Sequence, residues 1–157
     1  LPRTQAVASP LAAGPPRRDS PAGAEVILLV EDEVSVRTMT QRLLQRGGYT
    51  VLSAGSASEA EKLFASHPGP VHLLLTDIVM PGPNGIELST RLRRQRPELA
   101  VLYISGYAEG SLPARSALPV GAMLLAKPFS SDALLSRVRE VLDRANRRRR
   151  TRSDPGN

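Results

Sequence analysis

"LLLTDIVMPGPNG", residues 73–85, fixes the architecture because it joins a strand-like run, a single acid and a turn. The three leucines and the threonine that precede Asp77 are typical of a strand buried on both faces. A lone carboxylate at the end of such a strand costs free energy unless another group pairs with it or uses it. The partners of Asp77 must therefore come from other parts of the chain.

The rest of the chain repeats this strand-then-helix unit. Short apolar runs predict five strands, at residues 25–30, 49–54, 71–76, 100–105 and 122–126. Apolar residues at helical spacing follow the strands, and the first helix is expected to stop at Gly47-Gly48, while Asn84 caps the third. Five βα units with strands buried on both faces predict a doubly wound α/β domain. Its parallel five-stranded sheet is expected to have the flavodoxin-like order 2-1-3-4-5.

Proline positions and composition set the limits of this domain. Pro113 and Pro119 predict a short or irregular fourth helix between strands four and five, because proline interrupts helical hydrogen bonding. Residues 1–24 hold five of the fourteen prolines and are interpreted as a disordered Pro/Ala-rich linker. The folded domain is predicted to be 25–145, followed by an Arg-rich tail at 146–157.

Composition excludes several classes of function. The chain of 157 residues has no cysteine, so it can form neither a disulfide nor a thiolate metal site. Its two histidines, His67 and His72, are too few for most zinc sites, and His72 is expected to be structural. No apolar run approaches the length of a membrane span, and the N-terminal residues lack the apolar stretch of a signal peptide. A cytoplasmic location is therefore expected.

The net charge of +6 comes from the two ends of the chain. Residues 1–19 carry three arginines against one aspartate, and residues 147–157 carry five arginines against one aspartate. This leaves 13 basic and 13 acidic residues between them, so the folded domain has no basic excess that would favour nucleic acid.

Polar and charged residues stand at the carboxyl ends of four predicted strands, where doubly wound sheets place their sites. Glu31 and Asp32 follow strand one, Asp77 follows strand three, Ser105 ends strand four and Lys127 follows strand five. Strands one and three are neighbours in the predicted order, so their carboxylates should lie close together and repel one another unless a cation neutralises them. Mg²⁺, which Mn²⁺ can replace, suits such oxygen ligands.

This set of groups is suited to phosphoryl transfer onto an aspartate. Asp77 is the candidate nucleophile, Lys127 supplies a positive charge for a phosphoryl oxygen, and Ser105 supplies a hydroxyl donor.

Residues 25–145 resemble the receiver domain of two-component response regulators and hybrid sensor kinases. The resemblance depends on "LVEDE" (29–33), "TDIVMPGPNG" (76–85), "ISGY" (104–107) and "KPF" (127–129), which occur in the order and at the spacing of that family. It implies that Asp77 is the phosphoacceptor and that the Lys127–Pro128 peptide bond is cis. The metal ligands that it implies are Glu31, Asp32, Asp77 and the carbonyl of Val79, and the residues that contact the phosphoryl group are Ser105 and Lys127.

The "ISGY" segment and the proline-broken fourth helix look most like a receiver at the C-terminus of a hybrid histidine kinase. The resemblance implies a phosphohistidine-bearing kinase or phosphotransfer domain as partner, and a monomer or weak dimer. A stand-alone response regulator is the alternative. Two further alternatives are an aspartate-nucleophile phosphatase of the haloacid-dehalogenase kind and an interaction module that is never phosphorylated.

One position departs from the family pattern. Leu124 stands three residues before Lys127, where the family usually has an aromatic residue that reports phosphorylation, and Tyr107 is a candidate substitute. Slow self-dephosphorylation is also expected, because Val79 and Tyr107 should crowd the path of a hydrolytic water molecule.

Overall fold

The computed structural model describes residues 25–106, residue 118 and residues 122–153, without the side chains of 149–153. Within these residues it has five strands and four helices. The strands are β1 (Val26–Val30), β2 (Thr50–Ala54), β3 (Leu73–Asp77), β4 (Ala100–Ser105) and β5 (Met123–Ala126). The helices are α1 (Val34–Arg46), α2 (Ala57–Ser66), α3 (Gly85–Gln95) and α4 (Ser131–Ser153).

The strands form one parallel sheet in the order β2-β1-β3-β4-β5, which confirms the predicted topology. Val30 of β1 lies opposite Thr76 of β3, and Asp77 lies opposite Ile104 of β4. Because all strands run in the same direction, their carboxyl ends meet at one edge of the sheet.

The core lies on both faces of the sheet. Alternate residues of β1 and β3 enter opposite clusters, with Leu28 and Leu74 on one face and Leu29 and Leu75 on the other. β1, β3 and β4 are buried throughout, but β2 and β5 are only partly buried. The expectation that every strand is buried on both faces is therefore wrong for β2 and β5. Each is an outermost strand of the sheet and has a neighbouring strand on one side only.

The predicted helix ends are confirmed. α1 ends at Arg46 with Gly47 as its C-cap, and the following Gly48 has a φ of +96°, a conformation that favours glycine. Asn84 caps α3 through a reciprocal pair of hydrogen bonds with Glu87. None of the helices described in residues 25–106 and 122–153 is both long enough and apolar enough to cross a bilayer.

The last helix is longer than the sequence pattern indicates. α4 continues to Ser153 and so includes the arginine run 147–150, which was expected to be part of a tail. Arginine is a good helix former, and the chain has no glycine or proline after 131 until Pro155. The predicted linker at 1–24 and the prolines expected to break the fourth helix, Pro113 and Pro119, lie outside the described residues.

An ion pair joins the start of β1 to α4. Arg139 donates two hydrogen bonds of 2.9 Å to the two carboxylate oxygens of Glu25, and a third of 3.3 Å to the hydroxyl of Tyr49. A guanidinium and a carboxylate in this bidentate arrangement form a strong charge-assisted pair. The contact lies at the amino edge of the sheet, opposite to the edge where the candidate site residues meet.

Candidate functional site

Three carboxylates meet at the carboxyl edge of the sheet. Glu31 and Asp32 follow β1, Asp77 ends β3, and one oxygen atom from each lies within 4.8 Å of the other two. Glu31 is 1% exposed and Asp77 is 2% exposed, whereas Asp32 is exposed. The pairing of β1 with β3 produces this juxtaposition, as the predicted strand order requires.

Lys127 lies directly against the two buried acids. Its Nζ atom donates a 3.0 Å hydrogen bond to Oδ2 of Asp77 and lies 3.3 Å from Oε1 of Glu31. Burial lowers the pKa of Lys127, but its hydrogen bond to Asp77 and the charges of Asp77 and Glu31 outweigh burial and raise that pKa above its ordinary value. The side chain is therefore a cation at neutral pH.

The backbone around Lys127 holds this side chain in place. The amide of Lys127 donates a 2.9 Å hydrogen bond to the carbonyl oxygen of Ser105, which extends the pairing of β4 with β5 by one residue. The Lys127–Pro128 peptide bond is cis, which confirms the prediction from the family resemblance.

The negative charge of this cleft exceeds its positive charge. The cleft has a volume of about 470 Å³ and is lined by Glu31, Asp32, Glu33, Asp77, Val79, Met80, Pro81 and Lys127. Four carboxylates thus face one ammonium group among the described residues. Oε1 of Glu31 is buried, and within the described part of the chain its contact is the 3.3 Å ion pair with Lys127 rather than a hydrogen bond. Converging oxygen donors with excess negative charge are the ligands that a hard divalent cation prefers, so these residues fit such an ion.

The start of α3 packs against the backbone of Asp77. The amide of Gly85 donates a 2.8 Å hydrogen bond to the carbonyl oxygen of Ile78, and the hydroxyl of Thr76 donates a 2.9 Å hydrogen bond to the carbonyl oxygen of Asp77. A Cβ atom at Gly85 would overlap that carbonyl oxygen of Asp77. Glycine is required here because the helix approaches the strand end so closely.

Ser105 is at the predicted strand end but is not among the described residues that line the cleft. It is 7% exposed, and its hydroxyl donates a 3.3 Å hydrogen bond to the carbonyl oxygen of Gly106. Its contact with a phosphoryl group stays a prediction. Val79 lines the cleft and is 48% exposed, while Tyr107 lies outside the described residues.

Two other residues singled out in the sequence have contacts in the fold. Nδ1 of His72 accepts a 2.9 Å hydrogen bond from the amide of Val26, which confirms its expected structural role. Leu124 lies opposite Tyr103 in the sheet and packs, partly buried, against one of the two core clusters.

One contributor to the site has no clear signal in the sequence. Nη1 of Arg37, in α1, donates a 2.7 Å hydrogen bond to the carbonyl oxygen of Glu31. In the sequence, Arg37 is one of several charged residues in an amphipathic helix, and nothing in the helical pattern separates it from the others.

The fold and the site together define a flavodoxin-like α/β domain with an acidic, lysine-containing cleft at the carboxyl edge of its sheet. Residues 27–139 match the family model of the response regulator receiver domain, and the chain belongs to this family. Membership favours the two-component interpretation over a haloacid-dehalogenase-type phosphatase.

Individual relatives agree with this assignment. The sensor kinase CckA of Brucella abortus (strain 2308) is 40% identical over 125 residues, which are 78% of this chain and 13% of the kinase. The response regulator receiver protein CpdR of the same organism is 35% identical over 116 residues, 74% of this chain and 95% of CpdR. A CheY-like receiver domain protein from Methanospirillum hungatei JF-1 has a crystal structure that superposes with a TM-score of 0.71 at 29% identity. That match covers 79% of this chain and 98% of the other.

Proposed function

We propose that this receiver domain accepts a phosphoryl group from a phosphohistidine onto Asp77, with Mg²⁺ as its cofactor. The observation that carries the proposal is the position of Asp77, buried at the end of β3, hydrogen-bonded to Lys127 at 3.0 Å and adjacent to the carboxylates of Glu31 and Asp32. A buried carboxylate among other acids and a lysine has the features of a functional site rather than of a helix cap.

In the proposed reaction, a carboxylate oxygen of Asp77 attacks phosphorus while the phosphorus–nitrogen bond of the donor imidazole breaks. The departing nitrogen keeps the electron pair of that bond, and Asp77 becomes an acyl phosphate. Lys127, already within hydrogen-bonding distance of Asp77, neutralises the charge on a phosphoryl oxygen, and the hydroxyl of Ser105 donates to another.

The proposed Mg²⁺ ligands are the carboxylates of Glu31, Asp32 and Asp77 and the carbonyl of Val79. The ion would neutralise the charge of the phosphoryl oxygens and of the crowded acids. Mn²⁺ has the same oxygen preference and should replace it.

The proposed partner is a histidine kinase or a phosphotransfer domain that carries the phosphohistidine, in the cytoplasm. The 40% identity to part of the sensor kinase CckA supports a place within a hybrid histidine kinase. The match to nearly all of CpdR keeps the stand-alone response regulator as the alternative. Equal numbers of acidic and basic residues in 20–146, which leave out the arginine run at the end of α4, support a domain whose sheet and site do not bind nucleic acid. We further propose that it is a monomer or a weak dimer.

Labelling by a small phosphodonor tests the proposal. The wild-type chain, incubated with acetyl phosphate and Mg²⁺, should gain one phosphoryl group by mass spectrometry, and chelation of Mg²⁺ should prevent this. Reduction of the acyl phosphate with borohydride should convert Asp77 to homoserine and so identify the modified residue.

The Asp77→Ala variant should not be labelled, because it lacks the nucleophile. The matched control is Asp132→Ala, which removes an acid from the first turn of α4, outside the residues that line the cleft, and should be labelled like the wild type. Equal labelling of Asp77→Ala and the wild type would overturn the proposal.

A further inference from the structure

Arg37 links α1 to Glu31, the first described residue along the chain that lines the acidic cleft. Its side chain is half-buried, and Nη1 donates a 2.7 Å hydrogen bond to the carbonyl oxygen of Glu31, six residues earlier. Arg37 does not itself line the cleft among the described residues. It therefore contacts the backbone that carries the acids rather than the space between them.

The turn after β2 leaves room for the guanidinium of Arg37. A Cβ atom added to Gly55 would lie 2.8 Å from Nη1 and 3.5 Å from Cζ of Arg37. The amide of Gly55 donates a 2.7 Å hydrogen bond to Oε1 of Glu59, which fixes the turn near the start of α2. Glycine at this position lets the guanidinium lie between the end of β1 and the turn that follows β2.

The backbone of Glu31 is consequently held on both sides. Its amide donates a 3.1 Å hydrogen bond to the carbonyl oxygen of Ala54, and its carbonyl accepts from Arg37. The peptide that joins Glu31 to Asp32 cannot rotate without breaking the Arg37 hydrogen bond. Oε2 of Glu31 also accepts a 3.2 Å hydrogen bond from the amide of Glu33, so the side chain is oriented as well.

We propose that Arg37 is a positioning residue for the metal ligands: it fixes the Glu31–Asp32 peptide so that both carboxylates face one divalent cation. This inference rests on the proposed function, in which Glu31 and Asp32 hold Mg²⁺. Partners that orient metal ligands typically contribute a factor of about 10 to 100 to metal affinity.

The direction in which metal affinity changes when Arg37 is replaced distinguishes a positioning role from a purely electrostatic one. The guanidinium is a cation near a cation site, so Coulomb's law alone predicts tighter metal binding once its charge is removed. Loss of positioning predicts weaker binding. The Arg37→Met variant keeps a long apolar stem but lacks the donors and the charge, and we expect it to bind Mn²⁺ about 10-fold more weakly than the wild type.

Binding is measured with Mn²⁺ as the probe, from the electron paramagnetic resonance signal of the free ion, and needs no phosphorylation. Arg37→Lys, which keeps a donor and the charge, should recover part of the affinity. Arg42→Met removes an exposed arginine from the same helix and should leave the affinity unchanged. Circular dichroism verifies that each variant is folded.

The Gly55→Ala variant perturbs the same contact through the turn that follows β2 rather than through Arg37 itself. Its new Cβ atom should displace the guanidinium and weaken Mn²⁺ binding in the wild-type background, yet have little further effect when combined with Arg37→Met. If Arg37→Met folds poorly, the Gly55→Ala single variant still tests the contact, and wild-type affinity in that variant would contradict the inference.

Equal or tighter Mn²⁺ binding by Arg37→Met, in a wild type that does bind the ion, would overturn the positioning inference alone. Failure of the wild type to bind Mn²⁺ at all would overturn the proposed metal site and this inference with it.

Discussion

The side chains at the carboxyl edge of the sheet contribute to the proposed chemistry in different ways. Asp77 and Glu31 are buried acids, and the ammonium group of Lys127 forms an ion pair with each of them. Replacing the lysine would leave two buried acids without their shared cation, which is strongly unfavourable. Val79 differs from these residues because it is apolar, 48% exposed and lines the same cleft.

Val79 should therefore control how fast the phosphorylated domain loses its phosphoryl group. Val79→Ala opens space beside Asp77 for a hydrolytic water molecule, and we expect it to shorten the lifetime of the acyl phosphate several-fold. The measurement is the loss of label from a domain first phosphorylated with acetyl phosphate and then separated from the donor. Val34→Ala is the control, since Val34 is 62% exposed but does not line the cleft among the described residues.

A wild-type lifetime of only a few seconds would contradict the expectation of slow self-dephosphorylation. An unchanged lifetime in Val79→Ala would show that this side chain does not obstruct water.

At the level of secondary-structure elements, the site depends on how closely a helix can approach a strand end. α3 begins at Gly85, directly against the carbonyl of Asp77, and the capping box of Asn84 and Glu87 fixes where this helix starts. One turn further along α3, the hydroxyls of Ser89 and Tyr103 lie 2.7 Å apart. Ser89 already donates to the carbonyl of Ile86, so Tyr103 is the donor in this contact between α3 and β4.

Gly85→Ala should disturb both folding and the site, because the overlapping atom belongs to the rigid backbone of Asp77 rather than to a flexible side chain. We expect a loss of about 1–3 kcal/mol in the free energy of unfolding, the usual range for overpacking, together with slower labelling of Asp77. Urea denaturation measures the first quantity, and acetyl phosphate labelling measures the second.

Gly69→Ala is the matched control, since a Cβ atom there would make only an ordinary contact, 3.7 Å from His67. Its effect on unfolding should lie within about 0.5 kcal/mol. If Gly85→Ala behaved like Gly69→Ala, the close packing of α3 on Asp77 would not matter for stability.

In the molecule as a whole, the amino and carboxyl edges of the sheet have opposite effects on folding stability. The carboxyl edge gathers acids whose mutual repulsion opposes folding. The amino edge carries the pair between Arg139 and Glu25, which joins residues 114 positions apart in the chain. Glu25 is 8% exposed, so the pair is partly shielded from water.

Arg139→Met should lower the free energy of unfolding by about 1–3 kcal/mol, because it leaves the Glu25 carboxylate without its bidentate partner. Labelling of Asp77 should stay at the wild-type rate, since the pair is at the opposite edge of the sheet. Urea denaturation and acetyl phosphate labelling are the two measurements.

The control is Arg137→Met, which removes an exposed pair of 3.5 Å with Glu140 on the same helix. Surface pairs of this kind contribute about 0–1 kcal/mol. Equal effects of the two substitutions would mean that the Arg139 contact is an ordinary surface pair.

Most of the fold could be predicted because it is encoded in local patterns. The apolar runs, the Gly47-Gly48 pair and the Asn84 cap each occupy a few consecutive residues, and the structure confirms the strands and helix ends that they indicate. The partial exposure of β2 is not indicated by its apolar run, and follows instead from the edge position that the predicted strand order gives it. An apolar run records which residues avoid water but not whether its strand lies at the centre or at the edge of a sheet.

Chain order alone determined that Glu31, Asp32, Asp77 and Lys127 stand at the carboxyl ends of strands, and the rules of doubly wound sheets then required their convergence. Only the tertiary structure decided how each residue is held: Lys127 between two buried acids, Gly85 against the carbonyl of Asp77, and Arg37 on the carbonyl of Glu31. The physical reason is the distance along the chain over which each kind of contact forms. Secondary structure depends mainly on neighbours in the chain, whereas these contacts depend on helix packing and on distances that form only when the whole sheet is assembled.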